Sequence, residues 1–383
     1  MIKKPNRPIT AWIVWFSIFC LFAASCSPKP QAVQAAETST QAPTAATAFE
    51  QSTAAPIATH TPAASATLTP TVPTLTPSLV PTDTPTPDPM SIIAMRNGSY
   101  PGSDIVIVKE LTAAIGYHRY YAFYLSQGLK IYGLLTVPNG DPPPGGWPAI
   151  VFNHGYIPPN QYVTTERYVA YVDYLARAGY IVYKIDYRGN GNSDGIARGA
   201  YGDPGYTVDV LNAISSLQKF PKVNPQKIGM WGHSMGGYLT LRAMVISKAI
   251  KVGVIWAGVV GSYADLVDIW HHNDLATPTA QPNSPNWKHK WFDLYGSPQT
   301  DPQFWNSISA TSYLADISGP LQLHHDTQDS EVPYVFSETL AKDIQNVGGT
   351  VEFYSYPGDD HNLANSFGLA MSRTIAFFDK YLK

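Results

Sequence analysis

The stretch Gly232-His233-Ser234-Met235-Gly236-Gly237 places a serine between small residues. It follows the apolar run Lys227-Ile228-Gly229-Met230-Trp231 and precedes a helical stretch. A serine hydroxyl is a weak nucleophile until a neighbouring base takes its proton. A sharp strand-to-helix turn lifts such a hydroxyl above the edge of a sheet. A side chain two residues either side of Ser234 would collide with the adjoining strand and helix, so glycine is needed at 232 and 236. The N–H of Met235, at the helix start, then points at the oxyanion that forms when a carbonyl is attacked.

A serine of this kind needs a histidine to accept its proton and an acid to orient that histidine, and in this strand-turn-helix setting the acid precedes the histidine in the chain. Downstream, the apolar strand 320–323 is followed by His324-His325-Asp326-Thr327-Gln328-Asp329-Ser330-Glu331-Val332-Pro333. The strand 351–356 is followed by Pro357-Gly358-Asp359-Asp360-His361-Asn362. His361 is the expected general base and acid, and Asp329 the group that fixes its tautomer and balances its charge. Asp326 is the rival acid, while Asp360 stands too close to His361 in sequence. Upstream, the strand 149–152 runs into Asn153-His154-Gly155-Tyr156. The second oxyanion donor is therefore placed at the N–H of Tyr156, whose ring can also line the acyl pocket. His154 reads as a hydrogen bonder that braces this loop.

The elements that must hold these residues follow from hydrophobic pattern. Strands are expected at 104–111, 117–126, 129–137, 149–152, 180–185, 227–231, 252–256, 321–323 and 351–356, the second and third joined as a hairpin at Gln127-Gly128. Helices are expected at 168–178, 207–219, 238–247, 335–347 and 367–381. After Pro148, strands and helices alternate, which argues for a mostly parallel, doubly wound sheet covered on both faces. Residues 262–318 break this rhythm. They hold Trp270, Trp287, Trp291 and Trp305 among Pro, Asn and Asp, an aromatic-rich insertion on the side of the sheet where such enzymes keep their sites. These aromatic residues are expected to favour an apolar or aromatic acyl group.

The N-terminal residues read differently. Lys3, Lys4 and Arg7 precede an apolar run at 11–24, too short for an ordinary membrane span but of signal-peptide length. The run ends Ala23-Ala24-Ser25-Cys26, which resembles a bacterial lipobox although Ala23 stands where leucine is usual. Residues 1–26 are thus expected to direct export, with a membrane anchor through lipid on Cys26 or through an uncleaved helix. Residues 27–90 contain 40 Thr, Pro or Ala among 64, and only five charged side chains. With so little apolar surface to offset chain entropy, this segment is expected to be a disordered linker ahead of a catalytic domain at 91–383. Repeated Thr-Pro steps favour extended backbone, and such a chain spans roughly 45 Å.

Composition excludes other classes. The net charge is -3, without the clustered Lys and Arg of a nucleic-acid binder. The two cysteines, Cys20 and Cys26, leave the remaining chain without a disulfide, a thiolate metal site or a cysteine nucleophile. No cofactor or metal is implied. His271, His272 and Asp274 suggest metal-dependent hydrolysis, but they lack a ligand framework.

Three stretches carry a family resemblance: Asp186-Tyr187-Arg188-Gly189-Asn190-Gly191, the elbow with Gly237-Tyr238, and residues 329–333 followed by Tyr356-Pro357-Gly358 and His361. Over about 129–382 the chain resembles the catalytic domain of the prolyl oligopeptidase family of α/β-hydrolases, and also dienelactone hydrolase-like enzymes. The resemblance implies an α/β-hydrolase fold, a triad of Ser234, Asp329 and His361, oxyanion donors at Tyr156 and Met235, and a small peptide or ester substrate. Arg188 is expected to brace its loop. Two departures stand out. Asp326 occupies the position after a histidine where glycine is usual. The family's β-propeller is also not expected before this domain, which weakens the peptidase expectation and strengthens that of an esterase. A surface binding protein that keeps the fold without the activity is the alternative of a different class.

Overall fold

The computed structural model describes residues 87–270 and 287–383. The expected export signal with Cys26, the expected linker through Thr86, and His271, His272 and Asp274 lie outside the described residues. No helix among the described residues is long and apolar enough to cross a membrane.

Nine strands form one sheet among the described residues: β1 (Val106–Ala114), β2 (Tyr117–Ser126), β3 (Leu129–Pro138), β4 (Trp147–Asn153), β5 (Ile181–Ile185), β6 (Val223–His233), β7 (Ile250–Trp256), β8 (Leu321–His325) and β9 (Val351–Ser355). Their order is β1-β2-β3-β5-β4-β6-β7-β8-β9. The first three are antiparallel, β3 pairs antiparallel with β5, and every pair from β5-β4 to β8-β9 is parallel. The β2–β3 hairpin turns at Gln127 and Gly128, both at positive φ, the two-residue turn whose twist matches the strands it joins. Every strand expected from the sequence is present. β6 extends further than its apolar run, because Val223 still pairs with Trp147 before a register shift.

Helices α1 (Ile92–Arg96), α2 (Val169–Arg177), α3 (Gly205–Lys219), α4 (Met235–Ile246), α5 (Tyr263–Asp268), α6 (Trp287–Tyr295), α7 (Pro302–Ile308), α8 (Tyr334–Asn346) and α9 (Phe367–Leu382) surround the sheet. The central strands bury both faces. Along β4, Ala149 and Val151 join one core with α3, α4 and α8, while Ile150 and Phe152 join a second with α2 and α9. This two-sided burial explains why the strand reads as a continuous apolar run. Packing begins a little before residue 91. Met90 is buried, Asp88 accepts from the Tyr295 hydroxyl, and the buried Arg242 of α4 donates to the carbonyls of Met90 and Ile308.

The insertion contains α5, α6, α7 and a 3-10 turn at Ala310–Asp316, none of them foreseen. Trp291 and Trp305 are buried and pack on each other, on Phe304 and on Tyr263. These two tryptophans form the insertion's own core, so they are spent on packing and do not line an acyl pocket.

Candidate active site

Ser234 is the hinge between β6 and α4. It takes φ 55° and ψ −120°, a conformation that side chains rarely adopt, and it persists because its backbone is held on several sides. Its N–H is donated to the Trp256 carbonyl at 3.0 Å, and its carbonyl accepts from Gly237 and Val259. The flanking glycines are needed for close approach. A Cβ at Gly232 would strike the Gly236 carbonyl and the Thr240 hydroxyl, and one at Gly236 would strike the carbonyl of Asn153. The helix starts at once with Met235, three residues earlier than the apolar pattern suggested, leaving the first N–H groups without helical partners.

The candidate acid Asp329 and candidate base His361 come from the loops after β8 and β9. Asp329 Oδ2 accepts from His361 Nδ1 at 2.7 Å, with the Asp329 carboxylate fully buried. The same oxygen faces His325 Nε2 at 3.2 Å, while Oδ1 accepts the N–H groups of Glu331 and Val332. Burial alone would raise the Asp329 pKa, but the hydrogen bonds from His325 and His361 outweigh it and hold the carboxyl far below the usual range. Asp329 is therefore a fixed anion, and the proton on His361 belongs on Nδ1, leaving Nε2 as the basic nitrogen. The Ser234 hydroxyl makes no hydrogen bond to His361, whose Nδ1 is held by Asp329; such bonds commonly tighten only in the Michaelis complex.

His233, the residue before Ser234, joins the three loops. Its Nε2 faces the His361 carbonyl at 2.9 Å and must carry the proton, because a carbonyl only accepts. Its Nδ1 then accepts from the Tyr168 hydroxyl at 2.8 Å, and that hydroxyl oxygen accepts the Gly155 N–H at 2.9 Å. Burial, with some help from His361, lowers the His233 pKa to about 3, so the ring stays neutral and this bonding direction is fixed. Gly155 has no room for a side chain: a Cβ there would stand 2.6 Å from the Tyr168 hydroxyl and 3.2 Å from Ser234 Cβ. The loop carrying Tyr156 thus lies directly against Ser234. Among the described residues, no protein acceptor takes the N–H of either Tyr156 or Met235.

Beneath that loop, His154 is clamped between the rings of Tyr162 and Tyr187 at 4.6 and 4.5 Å and donates Nδ1–H to the Gly155 carbonyl at 2.6 Å. Burial lowers its pKa to about 3, so it braces the loop as a neutral ring. Asp186 nearby accepts from Tyr162 and Thr164, and burial raises its pKa to about 6 against the opposing pull of those bonds and Lys184. Arg188 forks onto Asp209, with its Nη2 2.7 Å from Oδ1, the bracing role expected of it.

The rival acids are occupied elsewhere. Asp326 accepts from Gln328 and from the Asp359 N–H, tying the β8 loop to the β9 loop. Asp360 accepts from the N–H groups of Asn362 and Ala364, inside its own turn. His233, Tyr168, Gly155 and His325 escaped the sequence reading. The elbow pattern leaves position 233 free, and Tyr168 reaches it across 65 residues. Only the four-residue spacing of His325 and Asp329 offered a local signal.

The family model of the prolyl oligopeptidases matches residues 167–383, more than half of the chain, and this span includes Ser234, Asp329 and His361. The chain belongs to the prolyl oligopeptidase family. It is a serine hydrolase, of the kind that includes peptidases and esterases. The uncharacterized peptidase YuxL of Bacillus subtilis is 24% identical over 69% of this chain, which spans only 38% of YuxL. The uncharacterized peptidase YtmA of the same organism is 25% identical over 63% of this chain and 85% of its own length. Among solved structures, the acetyl xylan esterase of Paenibacillus sp. R4 superposes with a TM-score of 0.55 at 21% identity, over 76% of this chain and 92% of that enzyme, which shows a shared α/β-hydrolase fold. Tyr156 precedes the matched span of this prolyl oligopeptidase family member, so its place rests on the contact of its loop with Ser234.

Proposed function

We propose that this protein cleaves peptide or carboxylic ester bonds through an acyl-enzyme on Ser234. The observation that carries the reading is the 2.7 Å bond between buried Asp329 and His361, made beside a nucleophile elbow at positive φ. His361 Nε2 accepts the Ser234 proton as Oγ attacks the substrate carbonyl carbon, and the carbonyl electron pair moves onto oxygen. The N–H groups of Met235 and Tyr156 receive that oxyanion. Collapse expels the amine or alcohol, which takes the proton from the imidazolium, and Asp329 remains ionised throughout. Water, deprotonated by the same nitrogen, then attacks the acyl-enzyme and releases the acid and free Ser234.

An esterase without peptidase activity is the second reading. It is supported by the match along nearly the whole of an acetyl xylan esterase, while the match along 85% of the uncharacterized peptidase YtmA keeps the peptidase reading beside it. A panel of p-nitrophenyl acyl esters and aminoacyl or prolyl p-nitroanilides, run with wild type and Ser234→Ala, separates the two. Ester turnover alone, lost in the variant, makes the protein an esterase. Amide turnover at comparable kcat/KM makes it a peptidase, and silence on both overturns the proposal in favour of a binding role.

The proposal includes export, supported by the basic start, the apolar run at 11–24 and the small residues before Cys26. Metabolic labelling with an alkyne fatty acid should mark the wild type and not Cys26→Ala. Equal labelling of both would contradict a lipid at Cys26.

A further inference from the structure

Glu331 stands where the mechanism needs no charge. Its Oε2 lies 3.8 Å from Nε2 of His361, the nitrogen that receives the serine proton, and its side chain is 67% exposed. Its backbone is pinned on both sides. The N–H is donated to Asp329 Oδ1 at 2.8 Å, and the carbonyl accepts the Trp270 indole N–H at 2.8 Å. The residue that orients the base thus also fixes where this carboxylate emerges. Among the described residues, no Lys or Arg pairs with Glu331. A reacting carbonyl must come within roughly 3 Å of the nucleophile, whose hydroxyl must in turn lie within hydrogen-bond reach of its base. Any group a few bonds from that carbonyl, on the Glu331 side, must therefore pass beside an unneutralised carboxylate.

We infer that Glu331 makes the site selective for substrates that carry a positive charge a few bonds from the scissile carbonyl, such as an ammonium group, and that it disfavours anionic ones. This rests on the serine hydrolase reading proposed above. The carboxylate keeps its water when the site is empty and loses part of it when substrate docks. A cation then replaces the lost solvation, a neutral group does not, and an anion adds repulsion. Because Glu331 is exposed, the expected discrimination is modest, about fivefold per charge step at low salt. It shrinks as ionic strength shortens the Debye length.

The test uses three p-nitrophenyl esters matched in chain length: 4-(trimethylammonio)butyrate, its neutral isostere 5,5-dimethylhexanoate, and 4-sulfobutyrate. Each ratio of kcat/KM is taken within one protein, so any general effect of a substitution on folding or on the base cancels. Wild type should prefer the cationic ester to the neutral one by about fivefold, and the neutral to the anionic by a similar factor. Glu331→Gln should bring both ratios close to one, and Glu331→Lys should reverse the order. The same order and size of ratios in wild type and Glu331→Gln would overturn the inference while leaving the hydrolase reading intact. Silence of wild type on all three esters would overturn this inference, and the hydrolase reading falls with it only where the p-nitroanilides are refused as well.

Discussion

The Tyr168 hydroxyl donates a 2.8 Å hydrogen bond to Nδ1 of His233, the residue immediately before Ser234. Through it, the loop that presents Tyr156, the Ser234 turn and the His361 loop share one chain of hydrogen bonds. Tyr168 is held in the left-handed region at φ 54° to make this contact, a strained position for an aromatic residue.

Tyr168→Phe should therefore lower kcat about tenfold with KM changed less than twofold. The loss leaves both His233 Nδ1 and the Gly155 N–H without their partner, a cost of about 1–3 kcal/mol felt where the loops meet. Steady-state kinetics on a p-nitrophenyl ester checks this. An unchanged kcat would show that the three loops keep their places without the bridge.

The two candidate acids should separate by kinetics. Asp329→Asn disrupts the tautomer of His361 and should cost about 10³- to 10⁴-fold in kcat. Asp326→Asn removes only loop ties. It should retain more than a tenth of wild-type kcat, with a lower midpoint of thermal unfolding. The reverse pattern would make Asp326 the acid.

Gly236→Ala should destabilise the protein by about 3 kcal/mol or more, because the added methyl meets the Asn153 carbonyl of β4 in a packed interior. Denaturant unfolding measures this directly. A stability within 1 kcal/mol of wild type would mean that β4 and α4 can part without cost.

Acid should destabilise the fold before any carboxylate of ordinary pKa titrates. Burial lowers the pKa of His154 and His233 to about 3 and drives that of buried His324 well down. As pH falls below about 6.5, the unfolded chain takes up a proton at each ring that the folded chain refuses, so stability is lost. Asp186 acts in the opposite sense. Its folded pKa of about 6 lets the native state bind a proton before the unfolded carboxylate does near 4, which adds stability over that interval. Asp209, whose pKa burial also raises, acts in the same sense as Asp186. Three losses against these two gains leave a net difference of about one to two protons near pH 5, a slope of up to about 3 kcal/mol per pH unit. Thermal unfolding midpoints should fall steadily from pH 7 to 4.5; a flat or rising profile would contradict this.

The parts of the site that the sequence exposed are those in which local pattern and chemistry coincide. Ser234 announces itself because the glycines at 232 and 236 are demanded by backbone contact, and Asp329 and His361 because each follows a parallel strand. The strands themselves were legible because β4 to β8 are buried on both faces and read as apolar runs. The insertion was not. Its helices are short and irregular, and their tryptophans pack on one another, so no periodic face marks them. Tyr168 and His233 were hidden for a different reason: their meaning lies in a hydrogen bond between distant segments, with no spacing to betray it.

Covalent capture of the nucleophile tests the central claim most directly. Incubation with diisopropyl fluorophosphate should add one diisopropylphosphoryl group to the protein, map to Ser234 by peptide mass spectrometry, abolish ester hydrolysis and fail in Ser234→Ala. An unmodified protein that still hydrolyses esters, or an adduct on another residue with activity kept in Ser234→Ala, would contradict the assignment of Ser234 as the catalytic nucleophile.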